Sequence, residues 1–412
     1  MTRAISDVPT DLQPAITPHL GELVDFRHDL HAHPELMFKE SRTASRVADA
    51  LQRLGIEHKA GLAGPDGNPG TGVLAHLPAT TDTQGPAVAL RADMDALPIV
   101  ERTGRPYAST NPGVMHACGH DGHTTMLLGA ARVLASLEHR PNPVTFVFQP
   151  AEEGGAGGEK MCDAGALRGI DAGGLGTPVE RIYGLHGWPH LPLGVVASRP
   201  GPLLAATDEF VMTVRGTQAH AAYPHLGHDP IVGASHVITA LQTLASRRVS
   251  PLDSIVVTVG AIHGGTVNNI IPESVQLVGT VRTLRPETRE LAKKELFNLA
   301  EQTAAAHRCR AEIDWHVGYP VTNNDPAEFE RVRATAIDAF GEGRFHLVEE
   351  PTMGGEDFSF YGQHVPACFA LVGLCPSAED PASVPQLHQP EFDFNDDAIP
   401  VGVELLVRLA LS

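Results

Sequence analysis

Histidine is over-supplied in this chain, with 22 in 412 residues, and several lie in tight groups beside acidic or sulfur side chains. The segment Met115-His-Ala-Cys-Gly-His-Asp-Gly-His123 sets Cys118 and His120 two residues apart. On an extended backbone both side chains would point the same way, and a thiolate with an imidazole makes the first half of a metal site. A buried structural cysteine beside a helix-capping Asp121 fits that fragment equally well, and His116 and His123 read as supporting or capping residues. Gln149-Pro-Ala-Glu-Glu-Gly154 presents two adjacent carboxylates. Taken alone this is a solvated turn. Beside a metal, and on an extended segment where neighbours face different ways, one glutamate could ligate while the other holds a metal-bound water, since a general base must sit close to the ion but not on it. His186 in Gly184-Leu-His-Gly-Trp188 and His388 in Pro385-Gln-Leu-His-Gln-Pro390 complete the set, although each alone is an ordinary structural histidine. Together Cys118, His120, Glu153, His186 and His388 offer more donors than one tetrahedral ion takes, and they suit two ions sharing a water.

Such donors need rigid elements behind them, and the chain supplies these in alternation. Leu20–Leu30, Ser41–Leu54 and Thr124–Leu137 carry apolar residues at helical spacing, while 72–77, 87–90, 144–148 and 182–185 read as short buried strands. The chemistry-bearing segments follow predicted strands, where open α/β sheets build their sites. A mixed, mostly parallel sheet flanked by helices is expected. After Pro200 the pattern changes to strand 209–215, helix 230–246, strands 254–259 and 274–282, helix 286–307 and strand 311–316. This β-α-β-β-α-β order is that of the ferredoxin-like split unit. Helix 326–340 and strand 368–372 then return to the α/β style. The expected division is a catalytic, metal-binding domain of residues 1–204 and 318–412, with residues 205–317 inserted as a smaller domain.

Composition narrows the classes. Hydrophobic residues at 42% can build a sizeable core, and 49 Asp plus Glu against 30 Lys plus Arg, a formal charge of −19, argue against nucleic acid or an anionic membrane as partner. Residues 1–14 lack the apolar core of a signal peptide, and no apolar run reaches the ~20 residues of a membrane helix. Five scattered cysteines form no disulfide framework, which points to a reducing cytoplasm.

The ordered motifs resemble the M20 family of metallopeptidases, and within it the amidohydrolase branch of N-acyl-amino-acid, hippurate and auxin-conjugate hydrolases. The resemblance runs from about Asp25 to the C-terminus. It rests on His28-Asp-Leu-His-Ala-His-Pro-Glu35, Leu90-Arg-Ala-Asp-Met-Asp-Ala-Leu-Pro98, Cys118-Gly-His-Asp-Gly-His123 and Gln149-Pro-Ala-Glu-Glu153. Gly184-Leu-His186, His220-Ala-Ala-Tyr-Pro-His225, Asn269-Ile-Ile-Pro272, Gly279-Thr-Val-Arg282, Met353-Gly-Gly-Glu-Asp-Phe-Ser-Phe360 and Leu387-His388 extend it.

That resemblance implies a zinc-peptidase-like catalytic domain with an inserted lid and dimerisation domain. The implied metal ligands are Cys118, His120, Glu153, His186 and His388, with Glu152 as general base. His220 is implied to reach a partner subunit's site and help hold the oxyanion, and Asn269 and Arg282 to bind the substrate carboxylate, which the planar arginine fork suits. The histidine of the family's His-x-Asp motif is replaced in Arg91-Ala-Asp93. Cys118 is expected to compensate and Asp93 to orient a ligand histidine; a plain strand-end acid is the alternative for Asp93. Ala206-Thr207 and Gln389 depart from the family's wording and bear on pocket shape. The implied activity is metal-dependent cleavage of N-acyl amino acids to a carboxylic acid and an amino acid. A dipeptidase or carboxypeptidase of the same family is one alternative, an inactive metal-binding protein another. Two divalent ions are expected, zinc first, with manganese, cobalt or nickel as alternatives. A homodimer through the inserted domain, or a tetramer, is the expected assembly.

Overall fold

The computed structural model describes residues 11–65, 69–81, 85–376 and 379–412. They divide into two compact units, the first from the described part of Met1–Leu203 with Asn323–Glu350 and Asp357–Ser412, the second from Leu204–Thr322 with Pro351–Glu356. The short stretch 351–356 belongs with the second unit because its backbone is bonded there. The Ala205 N–H donates to Gly354 O at 2.8 Å, and Thr322 Oγ1 donates to Glu356 O at 3.2 Å.

The first unit is built on an eight-stranded sheet in the order 57–62, 72–77, 144–149, 88–93, 181–192, 367–375, 196–198, 345–347. Its centre is parallel: Val88–Asp93 pairs in parallel with 144–149 and 181–192, and 181–192 with 367–375. Antiparallel pairs flank that centre. Strands 72–77, 88–93, 144–149 and 367–375 are buried along their whole lengths, which is why they read as continuous apolar runs. Helix Ser41–Arg53 buries Ala44, Val47, Ala50 and Leu51, one helical face. Helix Pro326–Phe340 starts where the Asp325 side chain accepts from the backbone N–H groups of Ala327 and Glu328, with proline in the first turn. Helix His120–Ser136 packs against Ile399–Leu411 at the centre of the core. Gly129 permits the approach, since a Cβ there would meet Val403 at 2.6 Å, while Gly122 makes room for the Phe394 ring ahead of Ile399–Leu411, which a Cβ would meet at 2.5 Å.

The second unit has the order β-α-β-β-α-β, with an antiparallel sheet 255–264, 274–283, 206–215, 310–317. Ala206–Arg215 alternates buried and less buried residues, as a strand with one wet face must. Phe210, Met212 and Val214 meet Val237, Leu241, Leu277 and Leu296 in its core. A Cβ at Gly279 would lie 2.3 Å from the Phe210 ring, so glycine makes room for that side chain. Buried Asp208 takes a two-pronged contact from Arg289, at 2.6 and 2.8 Å. Among the described residues no helix is long and apolar enough to cross a membrane.

Candidate metal centre

Two local expectations are corrected where the site is built. Cys118 and His120 do not lie on extended backbone. Gly119 between them adopts a left-handed φ of +90°, and His120 is already the first residue of the helix, four residues earlier than the apolar periodicity suggested. Only glycine takes that conformation without strain, so the chain folds sharply and still brings the two donors together. The second concerns Glu152 and Glu153. They sit in a tight turn, entered through Ala151 at φ +55°, and not on an extended segment. His186 lies within the strand 181–192, two residues beyond the last pairing of Gly184 with Arg91, so its side chain emerges where strand 88–93 stops covering it. His388 lies in the loop after Cys375, itself at φ +65°; its backbone N–H is anchored to Ala117 O at 2.8 Å.

These elements converge. One ligand atom each from Cys118, His120 and His186 lies within 4.8 Å of the others, and the same holds for Cys118, Glu153 and His388, and for His120, Glu152 and Glu153. Cys118 is common to the first two groups, so one thiolate faces both halves of the centre. Its Sγ is 3.4 Å from His186 Nε2, and His388 Nε2 is 3.2 Å from Glu153 Oε1. Cys118, His120, His186 and Glu152 are buried, whereas the His388 side chain is 52% exposed and forms the open side.

The donor set fits divalent cations on its own chemistry. His120 Nε2 is buried with no hydrogen-bond partner, its nearest acidic group, Asp93 Oδ2, standing 3.8 Å away. Burial opposes a charge on His120, yet Asp93 and Asp95 hold its pKa up to about 10, so the surrounding field favours positive charge. Burial, then Glu153 and Glu152, push the Cys118 thiol well above its ordinary range. A cation that displaced the thiol proton would relieve that cluster of negative charge.

The supporting contacts fix the histidines. Asp93 Oδ1 is 2.7 Å from His123 Nδ1, and His123 Nε2 accepts the Gly187 backbone N–H at 2.8 Å. A peptide N–H can only donate, so His123 carries its proton on Nδ1. His186 Nδ1 faces Gly187 O at 2.8 Å and must donate, which leaves Nε2 as a bare ligand. Against the cost of burial, the charges of His120 and Arg91 and the hydrogen bond from His123 keep Asp93 well below the ordinary carboxylate range. Arg91 stands where the family motif has histidine, and turns into a fully buried network. It donates from Nη1 to Asp93 Oδ2 at 2.6 Å, from Nη2 to Asp357 Oδ1 at 2.8 Å, and from Nε to Gln149 Oε1 at 2.8 Å. Asp121 caps no helix. It pairs with His31 at 2.8 Å and Arg27 at 3.1 Å. His116 is buried among neighbours that leave both ring nitrogens unpaired, and burial lowers it to about 4.

His123, read from the sequence as a supporting or capping residue, supports; spacing-based reading passed over two others, Arg91 as the buried counter-charge and Asp95. Alternation along Arg91, Asp93 and Asp95 was the available signal for the last two. The other residues implied by resemblance, His220, Asn269 and Arg282, lie on the second unit. His220 pairs with Ile270 in a two-residue ladder, and Asn269 O accepts the Ala221 N–H at 3.0 Å, so these two stand side by side. Arg282 Nη1 reaches Met353 O at 3.4 Å.

The description Peptidase family M20/M25/M40 matches residues 89–412. The chain belongs to this family. As an M20 member it is 41% identical over 380 residues to an N-acetyl-L-cysteine deacetylase of Bacillus subtilis, covering 92% of this chain and 85% of that protein. It is 39% identical over 395 residues to an IAA-amino acid hydrolase ILR1-like 4 of Arabidopsis thaliana, covering 94% and 84%. The crystal structure of a dinuclear metal-binding M20 peptidase from Bacillus subtilis superposes with a TM-score of 0.79 at 33% identity, covering 96% of this chain and 98% of that one.

Proposed function

We propose that this M20 protein is a dinuclear metal-dependent amidohydrolase that cleaves N-acyl amino acids to a carboxylic acid and a free amino acid. The observation that carries the proposal is the convergence of Cys118, His120, Glu153, His186 and His388 on one centre, with Glu152 beside it. Relatives named for deacetylation of N-acetyl-L-cysteine and hydrolysis of IAA-amino acids support the substrate class. Cys118, His120 and His186 would hold one ion, Cys118, Glu153 and His388 the other. Zinc suits a thiolate with imidazoles, and manganese, cobalt and nickel take the same donors.

When bound, two cations supply Lewis acidity, polarising the amide carbonyl and lowering the pKa of the attacking water. The protein's own groups do the rest. Glu152 takes the proton of the attacking water and returns it to the departing nitrogen, which otherwise leaves badly as an amide anion. Its Oε1 accepts the Asp357 backbone N–H at 3.4 Å, which steadies the buried carboxylate beside the centre. His220 is the oxyanion donor. Its Nδ1 accepts the Ala222 N–H at 3.0 Å, so the proton sits on exposed Nε2, where it can be given to an oxygen. Asn269 and Arg282 take the substrate carboxylate.

A homodimer through the second unit is part of the same proposal. That unit exposes Leu226 (72%), Ile262 (58%), Tyr223 (55%) and Val267 (51%), apolar area of the kind that marks a protein contact. The five buried cysteines, none in a disulfide, suit the cytoplasm. A metal-loaded assay comparing N-acetyl and N-aroyl amino acids with free dipeptides tests the function. Turnover of the acyl amino acids is expected; turnover of dipeptides alone would overturn it in favour of a peptidase.

A further inference from the structure

Asp95 touches three parts of the metal centre at once. Its Oδ1 is 3.3 Å from His120 Nδ1 and accepts the Glu152 N–H at 3.0 Å, while Oδ2 accepts the Glu153 N–H at 2.9 Å. The side chain is 1% exposed, so water does not compete for these contacts. We propose that Asp95 is the positioning residue of the centre, fixing which His120 nitrogen faces the cations and setting the turn that presents Glu152 and Glu153. The inference rests on the ligand and general-base roles given above.

The first half follows from tautomer chemistry. An imidazole whose Nδ1 faces a carboxylate donates from that nitrogen, which leaves Nε2 with its lone pair outward. His120 Nε2 has no hydrogen-bond partner, because Asp93 Oδ2 at 3.8 Å is beyond hydrogen-bond reach whereas Asp95 Oδ1 meets Nδ1 at 3.3 Å. The second half follows from the turn. Two successive peptide N–H groups, of Glu152 and Glu153, converge on one side chain directly after a residue at φ +55°. The two N–H groups meet different oxygens of Asp95, so in this geometry both of its terminal atoms must accept. An adjoining carboxylate continues the pattern, since Glu40 Oε1 accepts the Ala151 N–H at 2.9 Å. The base and the neighbouring ligand are thereby locked to the ligand histidine through a single residue.

An amide cannot replace this carboxylate. With its oxygen turned to the Glu153 N–H, its NH2 opposes His120 Nδ1–H and the Glu152 N–H. Turned the other way, the NH2 opposes the Glu153 N–H. Either orientation leaves a buried donor facing a donor.

The test is Asp95→Asn beside wild type, both stripped by chelator and titrated with Co²⁺, read by equilibrium dialysis and by visible absorption. Wild type is expected to take up two equivalents. D95N is expected to bind at least one of them about 10–100-fold more weakly, with an altered spectrum, and its cobalt-loaded form to lose kcat with little change in KM. The thermal midpoint of the stripped variant reports its folding separately. D95N binding both equivalents with wild-type affinity and spectrum overturns the role of Asp95, whereas wild type taking up no cobalt overturns the metal-centre reading itself. If D95N does not fold, zinc-loaded wild type labelled with ¹⁵N-histidine serves, its His120 signal assigned against His120→Gln. An Nδ1 proton is expected on His120, and an Nε2 proton overturns the proposal.

Discussion

Glu152 and Glu153 are chemically identical neighbours to which the proposal gives different work, because the turn aims them differently. Replacing Glu152 by Gln keeps shape and removes proton transfer, so turnover should fall by roughly 10²–10⁴-fold while metal content, measured by mass spectrometry, stays at the wild-type level. Near-normal turnover would mean that another group moves the proton. Glu40 gives a pH signature at the same scale. Burial, above all, lifts its carboxyl from 4.5 to about 7, against the hydrogen bond from Thr71 Oγ1. An acid with a raised folded pKa contributes stability that is full below its unfolded value and is lost as pH rises through the folded one. Glu40→Gln keeps an oxygen for the Phe38 and Ala151 N–H groups, turns its NH2 to Thr71 Oγ1, which can accept, and stays neutral. Its stability relative to wild type should therefore grow between about pH 5 and pH 8, by up to about 3 kcal/mol, as read from urea midpoints. A pH-independent difference would show that Glu40 does not titrate in this range. The side chains that converge on this centre were conspicuous in the sequence, because cysteine, histidine and paired glutamates stand out at these spacings. The proton positions on His123 and His186, and the three contacts of Asp95, were not. They depend on which backbone N–H or carbonyl a folded turn presents, and residue order does not encode that directly.

Among the elements, the helix Pro326–Phe340 was legible to its ends, since Asp-Pro starts it and glycine follows it. The helix at His120 was not. Its first turn holds two histidines and an aspartate, which carry no apolar periodicity, and the left-handed Gly119 hides the start. Strands 57–62, 196–198 and 345–347 also escaped notice, being short or exposed at the sheet's margins. Gly122 tests the packing of that helix. A methyl there must push against Phe394, six residues past His388, so Gly122→Ala should cost about 1–3 kcal/mol and weaken retention of metal. Denaturant midpoints with chelator competition measure both. Unchanged values would mean that the loop yields freely.

At the scale of the whole molecule, the alternation of strands with helices, followed by the β-α-β-β-α-β order, made the architecture readable in the sequence. Assembly is the part that alternation leaves unspecified. If His220 serves the partner's centre, His220→Ala and Glu152→Gln proteins should each be weak alone. After subunit exchange they should regain activity through dimers that carry one intact centre. No recovery after exchange, verified by mass, would place the oxyanion donor within its own chain.

The sheet order has a consequence for synthesis. Ala367–Cys375 lies between 181–192 and 196–198, so two strands that leave the ribosome early must wait for a neighbour made much later. At ~5–20 residues per second that delay is of order tens of seconds. Throughout it, the apolar flank of 181–192 is open to any stray edge in the cell. Newborn chains should therefore lean on chaperones until residue 375 has emerged, and only after that can the loop bearing His388 close the centre.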